Sequence, residues 1–472
     1  MARDSLARNS VLIMASTVGT GGLGYLYWMV AAREVPGIEI GTATALISAA
    51  TVISMVANLG IGHMFIQRLP ASEAPQWSRI VSAGLLVGCL VTAGAAGAAV
   101  VALPGLAGNF AFLTGPAAAA GLVATAVALT ASTLLDYVYV AHRASHGMLW
   151  RNLSLAGGKV LALAALTAAG MTTAVAVVLA WTVPSLLVTA YTLRRGLPRL
   201  RPGCRLRGTG VGAELPFVRR SLTGHHLVNL CQAGPSAVLP VLVTARLGTA
   251  ENAHFYVAWM TASVLFMVSP AVASALYAER TNAAEARSAS LPRAALVVLV
   301  VIGLPALVLF LFGGRILALF SPAYEAGGGL LLKLLVLAAI PDAITNLAVA
   351  HWRSQGALAR CVRLNLVMAA VCLTLTWVWL PSAGIEAAGL AWLAGQTAGA
   401  LGVAGYALRR RRQRRLSALR RLPSGRTPRV PRPHRPSSHP AAFPGRTALP
   451  FRRQTRRSAR HTRPRSRSWR VP

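Results

Sequence analysis

The sequence predicts an all-α polytopic membrane protein: about twelve transmembrane helices in two six-helix, pseudo-symmetric lobes, followed by a disordered tail on the cytoplasmic side. Three observations carry this expectation. The chain has 472 residues, 55% of them hydrophobic and only 12% charged, and apolar runs long enough to cross a bilayer recur along it. Basic residues fall overwhelmingly in alternate loops. The charged break that ends the first run, "YLYWMVAAREVPGIEIGTATAL", returns 213 residues later in "VLVTARLGTAENAHFYVAWM".

Apolar runs between charged or Pro/Gly breaks define twelve spans, at about 10–32, 40–66, 80–103, 117–140, 153–170, 174–193, 221–244, 253–278, 294–312, 329–350, 364–380 and 385–408. The first is too long, and lacks a small-residue cleavage pattern before Arg33, to read as a removable signal peptide. With the amino terminus on the cytoplasmic side, the loops on that side before the tail carry 20 basic residues, eight of them between Arg194 and Arg220. The opposite loops carry Arg33, Arg246 and Arg315. This asymmetry places both termini in the cytoplasm, as expected for a multi-pass protein of a bacterial cell membrane. The preference for Arg over Lys, with abundant Ala and Gly, fits a GC-rich bacterial genome.

Six spans per repeat make the two halves enter the membrane from the same side, related by an axis along the membrane normal. "RNS" at Arg8 to Ser10 is matched by "RRS" at Arg219 to Ser221, and "LLDYVYVAHR" with Asp136 by "IPDAITNLAVAHWR" with Asp342. The expected organisation is a first lobe over 1–205, a second over 206–408 and a tail over 409–472. The tail has 22 Arg, many Pro and Ser, and no acidic residue, so it cannot bury a core. Beside a last span, such a stretch is expected to attract anionic lipid, with no nucleic acid as partner.

Several local patterns dissolve on inspection. "GTGGLG" at Gly19 to Gly24 follows no strand and is better read as close helix packing. "GGK" at Gly157 to Lys159 lacks the rest of a phosphate loop. His142 and His146 lack a third ligand, and the five cysteines have no metal or disulfide spacing, so no metal and no cofactor is expected.

Four ionisable residues within spans carry more weight, because each costs about 2.5 to 3.5 kcal/mol at a helix centre and usually faces a cavity or a partner. They are Asp136, Lys159, Lys333 and Asp342. Polar residues at helical spacing mark the same faces: His225, Asn229, Gln232 and Ser236 in the seventh span; Thr44, Ser48, Thr51 and Asn58 in the second; Thr125, Ser132, Asp136 and Tyr139 in the fourth; Asp342 and Asn346 in the tenth. Either a wet cavity or hydrogen bonding between helices explains such stripes. The third, sixth and ninth spans are almost wholly apolar and are expected to face lipid. No loop on the outer side is long enough for a catalytic domain, so a transporter rather than an enzyme is expected.

"RNSVLIMAS" followed by "AAREVPGIEIGTATALISAATVISMVANLGIGHMFIQRLP" resembles the amino-terminal signature of Wzx-type polysaccharide-biosynthesis flippases of the MOP superfamily, which also holds MATE exporters and MurJ-type lipid II flippases. The resemblance continues through "LLDYVYVAHRASHGMLWRNLSLAGGKVLAL" and "VLPVLVTARLGTAENAHFYVAWM", spanning about 8–410. Glu34 and Val35 replace the usual Leu-Gly pair before Pro36, whereas Leu247 and Gly248 keep it in the second half. The resemblance implies movement of a polyprenyl-diphosphate-linked oligosaccharide from the inner to the outer leaflet, for cell-surface polysaccharide or lipopolysaccharide, with a polymerase or glycosyltransferases as partners. On that reading Lys159, Lys333, His225 and Arg33 are candidates for the diphosphate, and Asn58, Asn229 and Gln232 for the sugars. Asp136, Asp342 and Asn346 are candidates for a coupling proton or sodium ion. A MATE-like drug or metabolite antiporter and, further off, a membrane-embedded glycan enzyme are the alternatives.

Overall fold

In a computed structural model, residues 2–206, 210–221, 225–282 and 299–420 are described, and they are almost entirely helical. Among them are fifteen α-helices. The first half holds α1 (Ala2–Glu34), α2 (Gly37–Ala57), α3 (Ile61–Arg68), α4 (Ala74–Leu106), α5 (Pro116–Ala141), α6 (Ser145–Ala168) and α7 (Ala174–Tyr191). Short helices α8 (Leu197–Leu200) and α9 (Leu215–Ser221) lead into the second half: α10 (His225–Leu247), α11 (Thr249–Asn282), α12 (Leu304–Ala318), α13 (Pro322–Ser354), α14 (Leu358–Ala383) and α15 (Glu386–Arg420). Twelve of these are the long helices that the apolar runs predict. Nine stretches among the described residues are long and apolar enough to cross a membrane; α1, α6 and α15 fall outside that group.

The helix boundaries follow local chemistry. Pro36, whose fixed φ suits a turn, separates α1 from α2, and Pro75 and Pro116 each open a helix at a position where the missing N–H costs nothing. Gly248 takes φ of 99° between α10 and α11, a conformation that a side chain would resist.

Three expectations are corrected. The second span is not one helix, because Leu59 and Gly60 both adopt left-handed φ (51° and 73°), which ends α2 and starts α3 afresh. The last helix does not stop at 408. It continues through Arg420, since arginine is a good helix former and propagation from an existing helix is easy; residues 421–472, the rest of the basic tail, lie outside the described residues. Finally, of the three all-apolar spans, α4 and the ninth each bury only 17% of their apolar window, but α7 buries half of its own. Its inward face carries Thr182, Ser185 and Thr189 among aliphatic residues, so its composition hides which side is packed. The first residues of the ninth span, 294–298, lie outside the described set.

Helix pairing repeats between the halves. In the first, α1 packs on α6, α2 on α5, and α4 on α5; in the second, α10 packs on α14, α11 on α13, and α12 on α13. The correspondence extends to the sixth long helix. α7 meets α5 and α6, and α15 lies so close to α13 and α14 that a Cβ at Gly389 would come within 2.8 Å of the Leu331 side chain, and one at Gly395 within 2.9 Å of the Met368 carbonyl oxygen. Threonine and serine hydroxyls link helices within the first half: Thr92 with Thr130, and Thr130 with Ser54, each at 2.9 Å, join α4, α5 and α2.

The halves meet mainly where α2 packs on α10 and α11. The two charged breaks singled out in the sequence touch there. The approach of Gly41 to the Thr249 carbonyl leaves no room for a Cβ, and the buried Asn252 side chain donates to the Gly41 carbonyl (3.2 Å) and the Thr44 hydroxyl (2.9 Å). At the same end Asn109 donates to the Ala245 carbonyl (3.2 Å), Tyr25 packs edge-on against Phe320, and Trp28 packs against Tyr256. The described residues up to Arg412 form one compact unit with a continuous core across both halves.

Candidate functional site

The second half encloses a cavity of about 340 Å³ between α10, α11, α13, α14 and α15. α13 supplies its charge. Pro341 removes the N–H that would bond the Leu337 carbonyl, and the next residue, Asp342, points its carboxylate inward, 6% exposed. One turn on, Asn346 Nδ2 donates to Asp342 Oδ2 (2.9 Å) and to Ser269 Oγ on α11 (3.0 Å). Gln232 Nε2 on α10 reaches Asn346 Oδ1 at 3.5 Å, and Arg353 Nη2 donates to Gln232 Oε1 at 2.7 Å. Thr345 bonds the Asp342 carbonyl and Gln396 Oε1 on α15. The rest of the wall is partly aromatic, with Trp259, Phe266 and Trp392 packed together. Among the described residues no cation forms an ion pair with Asp342. A carboxylate held by amides in a membrane-spanning helix, with space beside it, can exchange a proton or hold a small cation.

The first half contains the opposite charge. Lys159 on α6 is 7% exposed, and its Nζ lies 3.4 Å from the ring centroid of Trp181 on α7, a cation–π contact. The Trp181 ring is itself fixed by Tyr27 and Trp28, and its buried Nε1–H has no protein partner among the described residues. No carboxylate forms an ion pair with Lys159 among those residues. Lys159 is not one of the residues lining the second-half cavity.

The remaining sequence candidates divide by what they touch. Asp136 is bound by Arg151 of α6, whose guanidinium also donates to Asn152 Oδ1 and to the carbonyl and hydroxyl of Ser132. This pair ties α5 to α6. Thr125, higher on the same stripe, bonds Thr182 of α7 at 2.6 Å; these fourth-span residues hold helices together. Arg33 lies at the contact between halves, donating through Nε and Nη2 to the Leu319 carbonyl at the end of α12 (3.0 and 2.8 Å). That carbonyl is one of the unpaired acceptors at a helix C-terminus, where a cation is favourable. Asn58 sits at the α2–α3 break and accepts from the Gly62 amide at 3.5 Å. Asn229 meets His63 Nε2 of α3 at 3.2 Å, again across the halves. Lys333 is on an exposed face of α13 and does not line the cavity. The His225 side chain lies outside the described residues.

Gln232, Asp342 and Asn346 are therefore the candidates brought to one cavity. Sequence reasoning missed the wall supplied by α14 and α15, namely Asn365, Cys372 and Gln396. A signal existed on α14: Cys361, Asn365, Ala369, Cys372, Thr376 and Leu380, at steps of four and three, form its buried face. Trp181, the ring under Lys159, was visible only as one more apolar residue.

Outside the spans, each of the two closely spaced histidines accepts from an indole: Trp77 Nε1 donates to His142 Nε2 (2.7 Å) and Trp150 Nε1 to His146 Nε2 (3.0 Å). Burial, and then the nearby Arg201 guanidinium, pull the His142 imidazole below its ordinary value.

No protein-family model matches the sequence, and no curated protein is significantly similar to it. Solved structures share its fold. The lipid II flippase MurJ in an inward closed conformation superposes with a TM-score of 0.67 at 11% identity, covering 84% of this chain and 87% of that one. A multidrug resistance MATE family transporter of the MOP superfamily, inward-facing, gives a TM-score of 0.58 at 15% identity over 84% of this chain and 96% of that one. An outward-facing MATE transporter gives 0.54 at 14% identity over 89% and 96%. The chain thus has the MurJ- and MATE-like helical fold.

Proposed function

We propose that the chain is a membrane transporter that moves a polyprenyl-diphosphate-linked oligosaccharide from the inner to the outer leaflet by alternating access, for cell-surface polysaccharide synthesis. The observation that carries this reading is the pair of buried charges that form no ion pair among the described residues, Lys159 in the first half and Asp342 in the second. A diphosphate sugar cannot enter hydrocarbon without partners for its charge and hydroxyls. Lys159 with the Trp181 N–H, which has no partner among the described residues, supplies a donor set for the anion, and the amides and indoles beside Asp342 supply hydrogen bonds and flat apolar faces for sugars. Asn229 at the contact between halves is a further sugar contact. Asp342 with Asn346 takes a coupling proton or sodium ion, and the potential contributes about 2.3 kcal/mol per charge per 100 mV. Arg33 and Asn58 act by fixing helix ends, and Asp136 by fixing α6.

A MATE-like antiporter of a drug or metabolite is the second reading, favoured by the fold likeness to MATE transporters and by a compact aromatic cavity beside a carboxylate. Reconstitution separates the two. Vesicles containing the protein and a defined polyprenyl-diphosphate oligosaccharide are expected to expose the glycan to an impermeant glycosidase in the opposite leaflet, faster than protein-free vesicles do. Glycan that stays protected, together with proton-driven efflux of an aromatic cation, would replace the flippase reading by the antiporter.

A further inference from the structure

The described residues between the two halves, 192–206 and 210–221, fold onto the first half. Glu214 is buried and forms an ion pair with Arg68 at 2.5 Å, while the Arg68 guanidinium lies 3.9 Å from the Phe217 ring centroid. Val218 is 4% exposed, within a cluster that includes Ile61, Trp77 and Leu135. Arg201 donates to the Ser72 carbonyl, and the Arg205 amide to Ser78 Oγ.

The segment's exposed side chains are largely basic. Arg194, Arg195, Arg199, Arg205 and Arg219 are all exposed, Arg199 while donating to the Tyr191 hydroxyl at 3.1 Å. Within 192–221 the one acidic residue is Glu214, which Arg68 already occupies. The segment also carries exposed apolar groups, Leu215 at 47% and Phe217 at 41%. The segment continues directly from α7, a membrane-spanning helix, through a π-helical turn at Thr192–Gly196. It therefore leaves the bilayer at headgroup level.

We propose that this linker is a docking surface for the anionic phospholipid headgroups of the adjoining leaflet, with Arg194, Arg195 and Arg199 on the phosphates and Leu215 inserted below them. The guanidinium fork pairs with phosphate oxygens two at a time, and arginines close together at a surface attract acidic lipid cooperatively with an adjacent apolar anchor. The inference stands apart from the transported substrate and from the basic tail.

The test uses the full chain in nanodiscs of phosphatidylcholine, with or without one-third phosphatidylglycerol. The five native cysteines are replaced and an environment-sensitive fluorophore is placed through Leu215→Cys. Phosphatidylglycerol is expected to shield the fluorophore from an aqueous quencher about tenfold, and high salt to reverse it. R194Q/R195Q/R199Q should abolish the shielding, whereas R463Q/R465Q/R467Q, which removes the same charge from the tail, should leave it intact. Equal quenching in both lipid mixtures, or equal loss in the two triple variants, would overturn the proposal. If the cysteine-free chain does not fold, native mass spectrometry of the otherwise unaltered chain makes the same comparison, reading phosphatidylglycerol molecules retained by the linker and tail variants.

Discussion

Asp342 carries an insertion cost of about 2.5 to 3.5 kcal/mol at the centre of a spanning helix, and no ion pair among the described residues offsets it. A packing role would be served as well by asparagine, which keeps an oxygen to accept from Asn346 Nδ2. Asp342→Asn is therefore expected to change stability by less than about 1 kcal/mol while reducing glycan exposure in vesicles to the protein-free rate; transport at the normal rate would exclude an ionised carboxylate from the cycle. Asp136 shows how the same sequence signal can have a different meaning. It looked like Asp342 along the chain, but its partner Arg151, fifteen residues on, reaches it only because α5 and α6 turn back on each other. His142 supplies a separate, pH-dependent term. Its imidazole is held below the ordinary 6.5 and accepts from Trp77, so its contribution is present above 6.5 and is lost as pH falls through the lower folded value. Melting temperature should fall from pH 7.5 to 5 in the wild type, and fall less in His142→Gln, whose side-chain oxygen can still accept from the indole. Parallel curves would remove the Trp77–His142 contact from the account.

At the scale of elements, helix contacts near the two charged breaks limit which residues are tolerated. Gly41 on α2 faces the Thr249 carbonyl at the start of α11, and any side chain there must push the helices apart. Gly41→Val should open that end, raising the reaction rate of a cysteine placed at Asn252 with an impermeant thiol reagent by about tenfold, since a buried group becomes reachable. An unchanged rate would mean that the contact is not the closing surface. Most helices were legible from apolar runs and Pro or Gly breaks, because length and composition are fixed by the bilayer. The α2–α3 break was not, because Leu59 carries no mark of a left-handed backbone. The packing of α7 was also hidden, since apolar residues on a spanning helix face lipid and protein alike. In the cavity, Asp342, Asn346 and Gln232 announced themselves as polar residues at helical spacing, whereas the α14 wall alternated polar with sulfur and aliphatic groups and so showed no polar stripe.

At the scale of the molecule, the two halves pair their helices in the same order, and each contains a buried charge, Lys159 in the first and Asp342 in the second, that forms no ion pair among the described residues. The sequence echo between Arg33 and Arg246 becomes a physical contact between halves, with the Asn252 hydrogen bonds and the Arg33 clamp on α12 closing the same end. Such an arrangement supports rocking of one repeat against the other about the packed α2, α10 and α11. Alternation is the central claim, and it is tested most directly by the distance between spin labels at the exposed positions Glu34 and Glu251, in nanodiscs with and without the lipid-linked oligosaccharide. The account predicts two distance populations, a short one for the closed end seen here and a longer one whose share changes with substrate. One short distance under all conditions, in protein that still exposes the glycan, would contradict it.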